Sequence, residues 1–186
     1  WIMADMAIMM SGNISVPLYP NLSPEVLAKI LNHSEARLLF VGKLDNYNDM
    51  KPGVPKDMDC VTFPFYSEDY PRWDELTKEI IPLNENIIRS EKDLATIIYT
   101  SGTTGAPKGV MHKFYNFSFA TTNAVNVLPL KAESFFSYLP LCHIAERLLV
   151  QMGSLYCGGK VSFAESLDTF ASNLEEVSPT VFLGVP

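Results

Sequence analysis

Apolar and polar positions along this chain fall into alternating blocks, some with the spacing of helices and some with the near-continuous apolar character of covered strands. Residues 3–10 are apolar enough for a buried helix, which Gly12 can end in the left-handed conformation. Residues 14–19 read as a strand running into a turn at Tyr19 and Pro20. Ser23 is placed to cap a second helix, with Pro24 at its first position and Glu25 near the positive end of its dipole. Val26, Leu27, Ile30 and Leu31 give that helix one apolar face. Residues 37–41 follow as a short strand closed by Gly42, and residues 43–59, polar and broken by Pro52, Gly53 and Pro55, read as a surface excursion.

The same alternation continues to the end. Residues 60–65 read as a strand and 73–81 as a short helix. Residues 94–99 form an uninterrupted apolar and β-branched run, the pattern of a strand covered on both faces. Further on, the pattern predicts a helix over 114–128, a strand over 135–139 and a helix over 144–157 closed by Gly158 and Gly159. A strand over 161–164, a helix over 169–177 and a strand over 180–185 complete the series. Strands alternating with helices in this way predict a layered α/β fold with largely parallel sheets flanked by helices.

Composition narrows the class. Of 186 residues, 47% are hydrophobic and 19% charged, enough apolar material for a packed core and too little charge for a disordered tail. Twenty-one acidic against 14 basic residues give a formal charge of −7, which argues against nucleic acid as a partner, since phosphate backbones need a basic face. A nucleotide needs only a few well-placed positive groups. Cys60, Cys142 and Cys157 show no repeating spacing and read as reduced residues of an intracellular, cytoplasmic protein. No run approaches the ~20 apolar residues that span a bilayer, and peripheral membrane contact is expected only of a longer parent protein with apolar substrates. An opening at Trp1 inside a helical pattern, and an end at Pro186 directly after an apolar strand, suggest a piece of something longer.

Candidate chemistry concentrates in one segment: Tyr99, Thr100, Ser101, Gly102, Thr103, Thr104, Gly105, Ala106, Pro107, Lys108 and Gly109. Glycines let the backbone turn tightly and bring bare N–H groups to an anion. The hydroxyls of Thr100, Ser101, Thr103 and Thr104 can donate to phosphate oxygens or complete a Mg²⁺ shell, with Thr100 the candidate metal ligand. Lys108 supplies a mobile positive charge for terminal phosphates, and no acidic residue interrupts the tract. The bland alternative is a polar surface turn, which the order of residues after a buried strand makes the weaker reading. A Walker loop requires Gly-Lys-Ser/Thr opening a helix. Here Pro107 precedes Lys108, and Gly109, Val110 and Met111 continue as strand, which disfavours a P-loop phosphotransferase.

This segment resembles the signature loop of the adenylate-forming (AMP-binding) superfamily, which includes acyl-CoA synthetases, luciferases and peptide-synthetase adenylation domains. Three further segments resemble that family in order: Val16 through Pro20 its early strand-turn motif, Tyr138 through Arg147 the next motif in the form of long-chain fatty-acid–CoA ligases, and Val181 through Pro186 the strand before the adenine site. The resemblance covers essentially the whole chain and implies a partial adenylation domain over 1–186, truncated at both ends. It also implies a reaction joining a carboxylate to the α-phosphate of ATP with Mg²⁺ and passing the acyl group to coenzyme A. Gly102, Gly105 and Gly109 then belong to the nucleotide loop, while Thr103, Lys108 and His143 are the residues implied in catalysis. The family's adenine-contacting segment, ribose-binding aspartate and catalytic C-terminal lysine do not occur here, so the isolated chain is expected to have little or no ligase activity. Activation of amino or aryl acids, or a non-catalytic nucleotide-binding module, are the other readings.

Several residues keep a plainer reading beside the implied one. His143 lies near the acyl and adenylate pocket by resemblance, or is a helix-start histidine satisfied by backbone groups. Cys142 reads as a small core residue and not the partner of a Cys–His pair. Glu146 and Arg147 fit the ligase pattern, though a solvated ion pair is the simpler account. Phe114, Tyr115, Phe117 and Phe119 read as core before acyl channel. His33 and His112 have no partner identifiable from the sequence.

Overall fold

The computed structural model describes residues 1–64, 70–84, 87–101, 106–128 and 130–184. The chain divides into two compact units, Trp1–Arg89 with Ala95–Met111, and Ser90–Leu94 with His112–Pro186. Three small sheets are present among the described residues, and pairing is parallel in two of them, as an alternating α/β pattern predicts.

In the first unit, α1 (Ile2–Met10) ends at Ser11, and Gly12 follows at φ +88°, the left-handed turn its position predicted. Asp5, which interrupts the apolar run, is buried and accepts a 2.5 Å hydrogen bond from Ser15 Oγ. The expected strand over 14–19 reduces to one bridge: Ser15 pairs with Thr96, and the backbone beyond it runs irregularly through Pro17 and Pro20. Proline has no N–H to give a ladder, which explains the shortening. Ser15 joins β3 (Leu94–Ser101) through its own N–H to Ala95 O (3.1 Å) and by accepting from Ile97 N–H (3.0 Å).

Ser23 caps α2 (Pro24–His33) as expected, its hydroxyl accepting from Val26 N–H, and Leu27, Ile30 and Leu31 are the buried face. Strand β1 (Leu38–Val41) pairs in parallel with β2 (Asp59–Thr62). Between them the segment read as a surface excursion keeps many of its polar residues exposed but buries Tyr47, Met50 and Gly53. It folds into α3 (Tyr47–Met50) and a 3₁₀ turn, Lys51–Gly53, and Met50 packs with Leu27 and Leu31. Helix α4 (Trp73–Thr77) is one turn shorter than its pattern suggested. Strand β3 has Ala95, Thr96, Ile98 and Tyr99 all buried, residues of both parities, so both of its faces are covered. It hydrogen-bonds to β4 (Pro107–Lys113).

The second unit is built on a parallel sheet of order β6-β5-β7, comprising β5 (Ser134–Ser137), β6 (Lys160–Phe163) and β7 (Val181–Phe182). Phe135 and Phe136 on β5 are fully buried in it. Helix α5 (Phe114–Val127) starts where Asp93 O and Glu91 O accept the N–H groups of Phe114 and Tyr115, satisfying donors every helix start leaves open. The helix expected over 144–157 is α6 (Ile144–Glu146), a π-helical stretch Arg147–Met152, and α7 (Gly153–Cys157), closed by Gly158 at φ +67°. Helix α8 (Phe170–Val177) precedes β7, and Val185 at the end of the last predicted strand lies outside the described residues. No helix among the described residues is long and apolar enough to cross a membrane.

The π-helical stretch hides charge. Glu146, Arg147 and Gln151 are each 0% exposed, so Glu146 and Arg147 are not the solvated pair that charged neighbours suggest. Ser137 Oγ donates to Glu146 Oε1 at 2.6 Å, and the Arg147 guanidinium lies 5.3 Å from the centre of the Phe117 ring. Burial pushes the Glu146 carboxyl up, opposed by Ser137, the backbone at Tyr138 and Leu139, and His143. A carboxyl raised in the fold binds its proton more tightly there. Its stabilising contribution is therefore complete below the unfolded value near pH ~4.3 and is lost as pH rises through the folded one. Glu146→Gln removes that titration, so the melting midpoint of the variant should gain on wild type as pH rises from about 4.5. A difference between the two that is constant across this range contradicts the burial of an ionisable group here.

Candidate active site

Strands β3 and β4 carry the two ends of the hydroxyl- and glycine-rich segment. Gly102, Thr103, Thr104 and Gly105, assigned to phosphate from the sequence, lie outside the described residues. Their flanks are described. Thr100 is exposed near the end of β3 and Ser101 is that strand's last residue; Pro107 opens β4, with Lys108 exposed and Gly109 half-buried after it. The two flanks are thus held together as hydrogen-bonded neighbours, and Thr100, Ser101, Lys108 and Gly109 share one end of the strand pair.

The early strand-turn motif comes to the same place. Pro17, Tyr19, Ile30, Tyr99, Thr100 and Pro107 are among the residues lining a cavity of about 450 Å³ beside the loop flanks. Its walls are mostly apolar, with Thr100 and Asn21 among the polar lining residues, the mix that small-molecule sites use. Two motifs about 80 residues apart in sequence are therefore neighbours in space, as Ser15 against Thr96 already requires.

Tyr99, the residue before the loop, is buried. It is 4% exposed, and burial pushes its phenol up. Its hydroxyl shares a 2.6 Å hydrogen bond with His33 Nδ1 at the end of α2, the two rings meeting edge to face. Across the strand pair, a Cβ built on Gly109 would stand 2.8 Å from Ile97 Cγ2 and 3.2 Å from Tyr99 Cζ. The glycine at the loop exit is thus also a seat for the Tyr99 ring. Gly109→Ala should cost about 1–3 kcal/mol, the usual range for overpacking a tight site; chemical denaturation measures it, and an unchanged midpoint would show that the strands part without strain.

His143 belongs to the second unit. It is the N-cap of α6: its Nδ1 accepts from Ala145 N–H at 3.2 Å, its own N–H donates to Pro140 O, and its ring is exposed. The backbone-satisfied reading of this histidine is realised. Cys142 is buried, its thiol pushed up to about 11 by burial, which suits the core reading. Of the four aromatics at the start of α5 only Phe117 is buried; Tyr115 and Phe119 stack on each other at 5.7 Å in the open. His112 packs edge-on against Phe117, and burial followed by the Arg147 charge pulls its imidazole down. The His33–Tyr99 bond joins positions 66 residues apart, and no local signal in the sequence announces it.

Comparison with solved structures defines the fold class. The chain superimposes on a benzoate CoA ligase from Burkholderia xenovorans LB400 with a TM-score of 0.84 at 22% identity, covering 98% of this chain and 37% of that one. It also superimposes on the O-succinylbenzoate coenzyme A synthetase of Bacillus subtilis, solved with ATP and a magnesium ion, at a TM-score of 0.75 and 23% identity, covering 97% of this chain and 46% of that one. The family model for AMP-binding enzymes matches residues 1–186, and the chain belongs to that family. Among curated relatives, the long-chain-fatty-acid–CoA ligase ACSBG2 of Gallus gallus is 33% identical over the whole of this chain, which spans 27% of that protein's length.

Proposed function

We propose that this chain is the central part of the adenylation domain of a long-chain fatty-acid–CoA ligase, and that the loop between β3 and β4 grips the triphosphate of ATP. The observation that carries the reading is 33% identity, across all of this chain, to a long-chain-fatty-acid–CoA ligase. The exposed Thr100 and Lys108 on adjoining ends of two strands support it from the side of chemistry.

A carboxylate is a poor electrophile, and joining it to AMP gives the acyl carbon a good leaving group. One carboxylate oxygen attacks the α-phosphorus and the bond to the β-phosphate bridge breaks, so negative charge accumulates on the departing pyrophosphate. Backbone N–H groups at Gly102 and Gly105, the hydroxyls of Thr100, Ser101, Thr103 and Thr104, and the Lys108 ammonium act where that charge develops, so they favour the transition state over the ground state. Thr100 is the ligand offered to Mg²⁺, which would neutralise phosphate oxygens. The coenzyme A thiol then attacks the acyl carbon and AMP leaves. His143 is assigned to the acyl-adenylate step, the role that the resemblance implies for it. Positioning and charge neutralisation carry such chemistry, which suits a loop without a general base. The enzyme works in the cytoplasm, touching the membranes that hold its apolar substrate.

A panel of acids offered to the full-length protein with ATP and coenzyme A tests this. Long-chain fatty acids should give AMP, pyrophosphate and the acyl-CoA thioester. Turnover of benzoate or amino acids in preference to fatty acids would move the protein elsewhere in the family.

A further inference from the structure

We propose that His33 is a positioning residue for the nucleotide loop: through its hydrogen bond to Tyr99 it fixes the end of β3 from which the loop departs. The inference rests on the ATP-binding reading above and adds a residue from a helix that carries none of the loop's chemistry.

Three observations converge on Tyr99. Its ring, together with the Ile97 side chain, stands where a side chain on Gly109 would lie, so Tyr99 ties the strand that leads into the loop to the strand that leads out. It lines the same cavity as Thr100 and Pro107, the residues that flank the loop on either side. Its hydroxyl ends at His33 Nδ1, 2.6 Å away, at the last residue of α2. Helix α2 is itself seated firmly, with Leu27 and Leu31 packed against Met50. A chain of contacts therefore runs from the core through α2 and His33 to the Tyr99 ring and on to Gly109. The seat is rigid where the loop must present its donors to a polyanion, and donors act best when no reorganisation is left to do. Without His33 the phenol loses its one directional tie to α2, and the ring can turn on Gly109, carrying Thr100 with it. The worth of one neutral hydrogen bond sets the size of the effect at about three- to tenfold.

The experiment is a double-mutant cycle in the full-length protein, with His33→Ala, Tyr99→Phe and the pair together, and with His33→Asn, whose side-chain amide lies near the position of Nδ1. Initial rates of pyrophosphate release are measured against ATP and, separately, against fatty acid; melting midpoints are recorded alongside. Each single variant should lower kcat/KM for ATP about three- to tenfold while the KM for fatty acid stays put. The double variant should be no worse than the poorer single, and His33→Asn should recover most of the loss. Tyr99→Phe keeps the ring on Gly109, so it folds even where His33→Ala is fragile. If wild type shows acid-dependent pyrophosphate release and both singles keep its ATP dependence, or ATP and acid parameters fall together in step with stability, the positioning role is overturned and the loop assignment survives. If wild type releases no pyrophosphate with any acid, the functional reading and this inference fail together.

Discussion

Lys108→Ala in the full-length protein should slow formation of the acyl-adenylate by ~10²-fold or more, the scale on which loss of a donor aimed at developing charge is felt. Lys108 is the one cation in the segment from Tyr99 to Gly109, and it stands exposed at the second residue of β4, next to the strand end that bears Thr100. Lys108→Arg keeps the charge but spreads it over a planar fork and should recover only part of the rate, because a compact ammonium and a guanidinium are not equivalent against phosphate. Rapid-quench measurement of pyrophosphate isolates the step. A rate equal to wild type would remove Lys108 from the mechanism.

Gly53→Ala should be the most damaging single methyl in the first unit. A Cβ on Gly53 would lie 2.2 Å from the carbonyl oxygen of Pro24 and 2.8 Å from its Cα. Both atoms are backbone, at the first residue of α2, so no side chain can swing aside; the 3₁₀ turn and the helix must separate. That separation also loosens Met50 from Leu27 and Leu31. Overpacking costs typically ~1–3 kcal/mol and more where backbone must move, so we expect at least about 3 kcal/mol from denaturant unfolding. Because α2 also bears His33, the variant should weaken ATP use beyond its loss of stability. A fully stable Gly53→Ala would mean that the turn is not seated on Pro24.

Much of this architecture is legible in the sequence where the determining forces are local. Ser23, Pro24 and the spacing of Leu27, Ile30 and Leu31 define α2 without help from the rest of the chain. The unbroken run ending at Tyr99 announces a strand covered on both faces, and β3 is that strand. The signal for the proposed loop chemistry is equally local, since glycines, hydroxyls and one lysine lie within eleven residues.

What the sequence hides depends on partners far along the chain. Tyr47 and Met50 sit in a polar, proline-broken stretch with no periodicity, and Tyr70 against the first and α2 against the second make them core. Adjacent unlike charges suggest a solvated pair, whereas Glu146 and Arg147 are drawn inside by Ser137 and Phe117, where α6 passes into a π-helical stretch no propensity foretells. Pro17 and Pro20 silence a strand that hydropathy alone would draw. Tyr99 reads as one more strand aromatic until Gly109 and His33 are seen on either side of it.

The central claim, that a carboxylate is activated on ATP gripped by the loop between β3 and β4, is tested most directly by isotope exchange between pyrophosphate and ATP in the full-length protein without coenzyme A. The account predicts exchange that needs both magnesium and a long-chain fatty acid and falls by ~10²-fold in Lys108→Ala. Exchange that proceeds without the acid, or that is untouched by loss of Lys108, would contradict it.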